Sequence, residues 1–466
     1  MIQIDTKIFP KTRGAYIVGG AIRDILSGRP PLDYDAAVLG DPVEFAQQVA
    51  INTNGRLVEI GKPGQAIIRV VAKETVIDIS KVKGTSIEDD LQARDFSINA
   101  MDYDLFSQQL IDPLGGQPDL AHQTIRMVSK SIFNHDPVRL LRAFRMATVL
   151  QFEIESHTKT AIEKHAALIQ QSAGERVREE LFKMFHSTKS HAYLCQMADT
   201  GLLFATLPEL AALKKCRQNR YHQFDVFEHT LRAYYHLESL LHSGSDQALL
   251  TVNGAPLAQR IAKSRMPLLK FSILLHDIGK SVVQTTDSNG SLHFYGHERQ
   301  STQMAEAICK RLKCSMRDAD SMCFLVRHHT RPLSLFTALQ AQNANPRAIT
   351  RFFIKSAEHT CDLLMCAAAD MLAKEKEQND RSRAFIKFIN QLLVDFETDF
   401  VPKKSIPPLI TGHDLINTFG LKPSPLFKEI LDRVEEERLS RSDMTRQEAV
   451  ALVRALIRDQ RSTGDR

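Results

Sequence analysis

Short apolar runs alternate with short amphipathic stretches along the first hundred residues. The apolar run 16–18 ends in a glycine pair, residues 21–26 are amphipathic, and residues 33–38 begin with two acids and end in small apolar side chains. This succession predicts a loop, a short helix and a strand. The glycine pair and the two acids therefore flank one short helix.

Other segments extend this pattern along the chain. Residues 42–51 have helical spacing, whereas residues 66–71 and 74–79 are rich in β-branched side chains and are predicted to form a hairpin. Asp136 followed by a proline is a favourable helix start, and residues 381–396 again have helical spacing. The predicted strands thus lie close to the N-terminus, and predicted helices continue far beyond them.

Asp33 and Asp35 are the two acids of the predicted strand, and side chains two residues apart on a strand share one face. Carboxylates so close together repel each other and favour a cation between them, and hard oxygen ligands suit Mg²⁺. Gly19 and Gly20 precede a predicted helix, where bare backbone amides and the helix N-terminus favour phosphate. Because an isolated Asp-x-Asp is usually a solvated turn, the inference depends on the whole string.

Length and composition limit the possible classes of protein. The 466 residues, 43% of them hydrophobic, favour two to four domains. The net charge of +5 is compatible with nucleic acid without requiring it. Seven scattered cysteines without a Cys-x-x-Cys pair favour reduced thiols. Since the sequence has neither a signal-peptide pattern nor an apolar run of membrane-spanning length, we expect a cytoplasmic protein.

The string around the glycine pair resembles the catalytic signature of the nucleotidyltransferase superfamily. Its form, Gly-Gly-x-x-Arg-Asp followed by Asp-x-Asp, is similar to that of class II tRNA nucleotidyltransferases (CCA-adding enzymes) and bacterial poly(A) polymerases. The resemblance implies that Asp33 and Asp35 bind two Mg²⁺ ions and that Asp78, on a neighbouring strand, is a third catalytic carboxylate. The residues of the string that it assigns to the nucleotide are Gly19, Gly20, Arg23 and Asp24.

A second motif, Arg-Asp-Phe-Ser-Ile-Asn-Ala, begins at Arg94. It matches the family motif whose arginine and aspartate, here Arg94 and Asp95, hold the sugar and phosphates of the incoming nucleotide. Asn99 belongs to the same motif and is assigned to the same site. Ala93 stands where the family usually has a further arginine.

A third motif opens the predicted helix after Asp136. Asp136 and Arg139 match the family's Glu-Asp-x-x-Arg, whose aspartate and arginine pair with the edges of C or A like a protein template, although His135 stands in place of the glutamate. Arg142 and Arg145 follow at helical spacing. The resemblance implies that they contact the triphosphate, for which arginine is well suited; without it, such a stripe is usually solvated or paired with acids.

The segment between Asp78 and Arg94 is short, since only 16 positions separate them. In family members that add all three nucleotides, a longer flexible loop lies here and helps the site to switch from CTP to ATP. Members with a shortened loop resemble the enzymes that add only C. The hypothesis is therefore that this protein adds CMP efficiently and the terminal AMP poorly or not at all.

An ordered series of histidines and aspartates in the second half resembles the HD phosphohydrolase domain, an all-α fold that binds one or two divalent metals. Mixed imidazole and carboxylate ligands suit Mn, Ni, Zn or Fe without selecting among them. Lys280 is assigned to phosphoryl oxygens, and the expected substrates are phosphomonoesters or 2′,3′-cyclic phosphates. The implied ligands are His229, His276, Asp277, His297, His328 and Asp370, with His329 as the alternative to His328.

The resemblance covers nearly the whole chain and implies an α+β protein, in which an α/β head with a small mixed sheet precedes helical domains. The expected partners are tRNA, CTP and ATP. Three alternatives stay open: a poly(A) polymerase, an HD phosphohydrolase whose head is not catalytic, and a non-catalytic RNA-binding protein. The predicted domains are the head at 1–121, the base-selecting neck at 122–215, the HD domain at 216–380 and a tRNA-binding tail at 381–466.

Overall fold

The computed structural model describes residues 4–463 except residues 6, 32, 62–66, 74, 217–223, 243–247, 344, 346, 376–378 and 442. The chain divides into two compact units, Met1–Pro208 and Glu209–Arg466. Among the described residues, no helix combines the length and the apolar character needed to cross a membrane.

A seven-stranded mixed sheet organises the first unit, in the order β3-β4-β5-β2-β1-β6-β7. β2 and β5 are parallel, and the other neighbouring pairs are antiparallel. The strands are β1 (Ala15–Val18), β2 (Asp33–Val38), β3 (Arg56–Ile60), β4 (Ile67–Val71), β5 (Val76–Lys81), β6 (Asp102–Asp104) and β7 (Gln109–Ile111).

Among the described residues of this unit, four α-helices accompany the sheet, and six more α-helices and a two-stranded parallel pair follow, besides short 3-10 helices. The first four are α1 (Gly20–Leu26), α2 (Pro42–Thr53), α3 (Ile87–Gln92) and α4 (Gly116–Ala121). The remaining elements are β8 (Thr124–Ile125), α5 (Ile132–His135), α6 (Arg139–Leu150), β9 (Glu153–Ile154), α7 (Ser156–His165), α8 (Gly174–Phe185), α9 (His191–Asp199) and α10 (Leu202–Thr206).

The two faces of the sheet carry different kinds of side chain. Along β2, Ala36 and Val38 point to the face that packs on α2, within the main core of the unit. Asp33 and Asp35 alternate with them and so point to the opposite face. The apolar run that precedes the glycine pair forms β1, a central strand buried over its whole length. On that face Ala37 joins a second, smaller apolar cluster with Val18 and Ile87, so the two acids lie at its edge.

The connection from β5 to α3 is short and firmly held. Ser86 caps α3 in a capping box with Asp89, and Asp89 also accepts hydrogen bonds from the backbone and hydroxyl of Thr85. Asp90 accepts a further hydrogen bond from the backbone N–H of Lys83. Two acids of one helix thus fix the segment in which the family's flexible loop would lie.

The second unit is helical apart from two short hairpins in its described residues. Its elements up to the HD ligands are α11 (Val226–His242), β10 (Thr251–Val252), β11 (Ala255–Pro256), α12 (Met266–Leu275), α13 (Lys280–Val283), β12 (Thr285–Thr286), β13 (Leu292–His293), α14 (His297–Arg311), α15 (Met316–His328), α16 (Arg331–Gln340), α17 (Ala348–Ser356) and α18 (Thr360–Leu372). The last are α19 (Asp380–Asp395), α20 (Val401–Ser405), α21 (Gly412–Asn417), α22 (Pro425–Ser440) and α23 (Arg446–Thr463).

The predicted α+β architecture, a mixed-sheet head followed by helices, is confirmed. The predicted hairpin corresponds to β4 and β5, although Ala66 and Glu74 lie outside the described residues. The predicted helix at 381–396 corresponds to α19. β3 was not predicted, because its five residues are all exposed and lack an alternating pattern.

Candidate active sites

Three carboxylates meet on one face of the head sheet. Asp33 and Asp35 share the face of β2, and Asp35 is in direct register with Asp78 of the parallel strand β5. Desolvation raises the pKa of Asp35; Arg94 opposes this, and Asp78 and Asp33 raise the pKa further. Adjacent hard oxygen donors that repel one another fit a divalent cation such as Mg²⁺.

Asp78 differs from the other two because it has a fixed basic partner. Arg69, opposite it on β4, donates from Nε and Nη2 to its two carboxylate oxygens at 2.7 and 2.8 Å. Such a forked pair holds the carboxylate in one orientation. Asp78 therefore lies where the sequence predicted a third acid, but as half of an ion pair.

The glycine turn lies directly beside these acids. Gly19 follows β1 and has a φ of 72°, a conformation that favours glycine. A Cβ built on Gly19 would lie 2.8 Å from Nη1 of Arg94 and 3.8 Å from Oδ2 of Asp35. The absence of a side chain at Gly19 thus allows the Arg94 guanidinium to lie against the turn.

Gly19→Ala should lower the rate of nucleotide addition by about a hundredfold, because displacing Arg94 by an ångström misaligns the site. Gly28→Ala is the matched control, since Gly28 has the same positive φ but no atom within 4 Å of its Cβ position. Steady-state incorporation of labelled CMP or AMP measures both variants. Equal losses in the two variants would show that backbone strain, not contact with Arg94, is responsible.

A continuous set of polar contacts joins the glycine turn to the neck. Arg23 of α1 donates to Oδ1 of Asn99 at 2.8 Å, and Asn99 donates to Oδ1 of Asp95 at 3.0 Å. The other oxygen of Asp95 is 2.7 Å from Nε of Arg142 on α6. Burial opposes ionisation of Asp95, but Arg142 and its hydrogen-bond donors hold its pKa below the usual value. We name this set the Arg23–Arg142 relay.

The base-selecting residues predicted from sequence lie at the start of α6. Asp136 precedes the helix by three residues, and both of its oxygens accept hydrogen bonds from Arg176 of α8, at 2.9 and 2.8 Å. Arg139 donates to the backbone carbonyls of Ala93 and Arg94. Asp136 and Arg139 are therefore held by the neck and by the head, respectively.

Arg145 is placed differently from the other arginines of the stripe. Its Nε lies 2.5 Å from Glu180 of α8, and burial lowers its pKa. This pairing favours a supporting role in the neck, whereas the sequence predicted a contact with triphosphate. Arg176 and Glu180 both lie on α8, which therefore holds Asp136, just before α6, and Arg145, within α6.

Sequence reasoning missed Asp102 on β6. It is in register with Val18 of β1, which is itself in register with Asp35, so the side chains of Asp35 and Asp102 point to the same face. Asp102 is completely buried, and neither of its carboxylate oxygens has a hydrogen-bond partner in the part of the chain that the structure describes. Burial raises its pKa to about 7, against the influence of Arg94. The available signal was a second Asp-x-Asp pair, Asp102 and Asp104, between the apolar residues 100–101 and 105–106.

A second site lies within the second unit, where five helices or their ends converge. α12 is buried from Pro267 to Leu275 and delivers His276 and Asp277 at its end. His229 comes from α11 and Asp370 from α18, and these two side chains are 2.9 Å apart. All four were predicted as ligands. Each of them belongs to a group of three side chains whose donor atoms lie close enough together to hold one metal ion.

The orientation of the imidazoles fits metal binding. Nδ1 of His276, of His297 and of His329 each contacts a backbone carbonyl at 2.7 to 2.9 Å, which leaves Nε2 to face the cluster. Among the described residues, buried Nε2 of His276 and of His297 and Oδ1 of Asp277 have no partner in hydrogen-bond geometry, although Nε2 of His276 lies 3.1 Å from Oδ2 of Asp277. Despite burial, Asp277 and Asp370 raise the pKa of His276 to about 10, so the field at this point favours a cation.

His329, rather than His328, takes part in this cluster. Nε2 of His329 is 3.6 Å from Asp277, whereas the ring of His328 packs on Phe324 with centroids 4.5 Å apart. Burial and the neighbouring Arg331 and Arg327 lower the pKa of His328 to about 4. The sequence assignment of His328 is thus replaced by its alternative, since neighbouring residues at a helix end point about 100° apart.

We expect His329→Ala to lower the content of tightly bound transition metal and His328→Ala to leave it unchanged. Losing one of few ligands weakens binding, whereas His328 faces away from the cluster. Metal analysis of both purified variants by mass spectrometry after the same dialysis tests this. The assignment is wrong if His328→Ala loses more metal than His329→Ala.

Three family models match the chain. The poly A polymerase head domain matches residues 15–126, the probable RNA and SrmB-binding site of polymerase A matches residues 151–214, and the HD domain matches residues 226–350. The first covers the three-carboxylate site, and the third includes four of the five helices that supply the second cluster. The fold and the sites therefore define a class of protein in which a polymerase-type head with a three-carboxylate site is followed by a helical RNA-binding segment and an HD domain.

Curated relatives cover nearly the whole chain. The A-adding tRNA nucleotidyltransferase of Deinococcus radiodurans is 32% identical over 452 residues, which are 95% of this chain and 96% of the relative. The CC-adding tRNA nucleotidyltransferase of Thermus thermophilus is 29% identical over 96% of this chain and 94% of the relative. The chain belongs to the tRNA nucleotidyltransferase family.

Solved structures share the fold. A CCA-adding enzyme with CTP aligns with a TM-score of 0.64 at 18% identity, over 95% of this chain and 91% of that chain. The Thermotoga maritima CCA-adding enzyme complexed with tRNA_CCA aligns with a TM-score of 0.60 at 19% identity, over 96% of this chain and 91% of that chain. The fold predicted for both units is that of these enzymes.

Proposed function

We propose that the first unit transfers nucleotides from CTP or ATP to the 3′ end of tRNA. The observation that carries this proposal is the common sheet face of Asp33 and Asp35, with Asp35 in register with Asp78 on β5 and with Val18, which precedes the glycine turn, on β1. Asp33 and Asp35 would hold Mg²⁺, which in such sites supplies positive charge to the attacking and leaving oxygens. Names of full-length relatives and of solved neighbours support the same substrates.

The chain's own residues position the reactants. The backbone amides of the glycine turn, Arg23 and Arg94 face the triphosphate, and Arg142 adds a third guanidinium, from the neck. Asp136 and Arg139 present hydrogen-bonding groups to the edge of the base. The proposed division of labour follows the predicted domains: head 1–121, neck 122–215, HD domain 216–380 and tRNA-binding tail 381–466.

The proposed specificity is addition of C rather than of all three nucleotides. The short connection before α3 is fixed by Asp89 and Asp90, so it lacks the freedom to remodel the pocket between CTP and ATP. The two relatives named above each carry a single specificity, A-adding in one and CC-adding in the other. A rigid pocket with one nucleotide preference agrees with both.

Three tRNA transcripts test this specificity: one ending at the discriminator base, one ending in C and one ending in CC. Each is incubated with labelled CTP, with labelled ATP or with both, and the products are sized on a gel. We expect two additions from CTP on the first transcript and little addition of A to the third. Rapid addition of A alone, or of complete CCA, would contradict the C-adding proposal while retaining nucleotidyl transfer; long A tails on generic RNA would identify a poly(A) polymerase.

We propose a phosphohydrolase activity for the second cluster, acting on phosphomonoesters or 2′,3′-cyclic phosphates. Lys280 and Lys374 pair with Asp277 and Asp370, respectively, so two ammonium groups flank the cluster and are placed to receive phosphoryl oxygens. At its mouth, the rings of His293 and Tyr295 stack with centroids 5.2 Å apart, and Tyr295 is 79% exposed. A flat aromatic surface beside a phosphate site suits a nucleobase.

Hydrolysis of 2′,3′-cyclic AMP and p-nitrophenyl phosphate, with Mn²⁺, Ni²⁺, Zn²⁺ or Fe²⁺ added in turn, tests this activity. His276→Ala should abolish it and leave nucleotide addition unchanged. Tyr295→Ala should raise the KM for the cyclic nucleotide and leave p-nitrophenyl phosphate unaffected, because only the former has a base. Unchanged hydrolysis in His276→Ala would refute the proposal.

A further inference from the structure

The face of the head sheet that carries the carboxylates continues onto β3 and β4. Val58 of β3 is in register with Arg69 of β4, Arg69 with Asp78 of β5, and Asp78 with Asp35 of β2. Residues directly opposite each other on neighbouring strands share one face, as do residues two apart on one strand. We name the outer part of this face the β3–β4 strip. Its residues are Arg56, Val58, Ile60, Ile67, Arg69 and Val71.

The β3–β4 strip is apolar and basic, and it is open to solvent. Its four aliphatic side chains are between 38% and 46% exposed, and its two charged side chains are both arginines. The opposite face of β4 differs, because α2 packs there and Val70 is completely buried in the main core. Single exposed aliphatic residues are ordinary, whereas adjacent ones with cations and no acid among them favour a binding surface for a partly apolar anion.

The direction of the proposed reaction assigns this surface to one reactant. In phosphoryl transfer the attacking and leaving oxygens lie roughly in line, on opposite sides of the phosphorus. The glycine turn follows β1, which lies on one side of β2, whereas β5, β4 and β3 lie on the other side. Because the leaving pyrophosphate belongs to the glycine turn, the attacking hydroxyl approaches over β5, from the β3–β4 strip.

The two halves of this face are also covered differently. Ile87 of α3 packs on Val18 and Ala37 and so covers the part over β1 and β2. On the other side, Arg69 donates from Nε and Nη2 to Asp78 and keeps 40% of its side chain exposed. Its third nitrogen, Nη1, can therefore donate to a phosphate while the pair with Asp78 persists.

We propose that the β3–β4 strip binds the last nucleotides of the RNA strand that accepts CMP or AMP, an inference that rests on the proposed nucleotidyl transfer. Val58 and Val71 pack against the terminal base and ribose, and Arg56 and Arg69 bind the adjoining phosphates. The terminal 3′-hydroxyl then lies beside the carboxylates, opposite the glycine turn. Neighbouring strands are about 4.8 Å apart, so β3 lies about 14 Å from β2, within reach of the last nucleotides.

Val58→Ser/Val71→Ser should raise the KM for tRNA about tenfold in CMP addition, because apolar contact with the RNA is lost. The KM for CTP, and kcat at saturating tRNA, should stay within about twofold of the parental values. An acceptor-stem minihelix should show the same loss, since the contact involves only the end of the strand. Unchanged KM values for both RNAs would overturn the inference.

Val43→Ser/Leu57→Ser is the matched control. Both residues are 44% exposed, but Val43 lies on α2 and Leu57 is opposite Val70, on the face that α2 covers. This variant should keep the parental KM for tRNA. An equal rise in both double variants would show that the loss is not specific to the β3–β4 strip and would refute the inference.

Photocrosslinking tests the contact without requiring transfer. A tRNA transcript that ends in 4-thiouridine is irradiated with the full-length protein, and crosslinked residues are mapped by mass spectrometry. We expect crosslinks at Val58 or Val71, reduced by unlabelled tRNA. Their absence from β3 and β4 would overturn the inference, whether or not the protein adds nucleotides. Crosslinks there without nucleotide addition would refute the proposed transfer but retain the RNA site.

A second copy of the chain is the competing occupant, because β3 is an edge strand and exposed edges can pair. Light scattering of the parent and of Val58→Ser/Val71→Ser separates the two. We expect the same mass for both proteins. A parental dimer that becomes a monomer in the variant, with an unchanged KM for tRNA, would assign the β3–β4 strip to self-association and refute the inference.

Discussion

Replacing Asp33 and Asp35 together by asparagine should lower the rate of nucleotide addition by at least about a thousandfold, given the usual cost of removing transition-state charge stabilisation. The amides keep the size of the side chains but lose the negative charge that would hold Mg²⁺. Because both residues lie at the start of β2, away from the apolar core of the unit, the fold should persist.

The double variant Asp41→Asn/Glu44→Gln is the matched control for this change. Both residues are exposed on the same unit, the change in net charge is identical, and asparagine can still cap α2. Labelled CTP incorporation and far-UV circular dichroism are measured for both double variants. A folded Asp33→Asn/Asp35→Asn protein that adds nucleotides as fast as this control would show that the proposed site is wrong.

Asp102→Asn should stabilise the head sheet increasingly as the pH rises. A carboxyl group with a folded pKa near 7 and an unfolded pKa near 3.8 favours folding below both values, and this contribution is lost as the pH rises through 7. Asparagine removes the dependence. The gain should therefore grow from about 1 kcal/mol near pH 4.5 to about 4 kcal/mol near pH 8.

Hydrogen exchange of peptides from β1 and β6, followed by mass spectrometry across this pH range, measures the effect locally in a chain of several domains. Glu44→Gln serves as the control, because it removes an exposed carboxylate from the same unit. A gain that does not depend on pH would mean that Asp102 is ionised in the folded protein at all the values tested.

The parts of the sites that could be predicted from sequence depend on local geometry. Alternation along a strand is enough to place Asp33 and Asp35 on one face, and adjacency in the chain is enough to place His276 beside Asp277. The choice of Asp78 as the third carboxylate followed only from the family resemblance, and its register against Asp35 was not predicted, since two strands can pair in several registers.

Other parts depend on tertiary packing, which the sequence does not reveal. Arg69 on Asp78, Arg176 on Asp136 and Glu180 on Arg145 are pairs set by how strands and helices meet. The choice between His328 and His329 depends on where α15 ends and therefore on a rotation of about 100°. The burial of Asp102 could not be predicted either, because an acid in a short strand is usually exposed.

The Arg23–Arg142 relay has a consequence for the length of the nucleotide that the site accepts. Through one buried carboxylate, Asp95, it ties α1, which follows the glycine turn proposed to face the phosphates, to α6, whose start is proposed to face the base. The distance between the glycine turn and α6 is therefore fixed, because neither element can move towards the other without breaking these contacts. Nucleoside diphosphates should consequently be rejected by length. When the base is bound at the start of α6, their shorter phosphate chain leaves the site at the glycine turn unfilled.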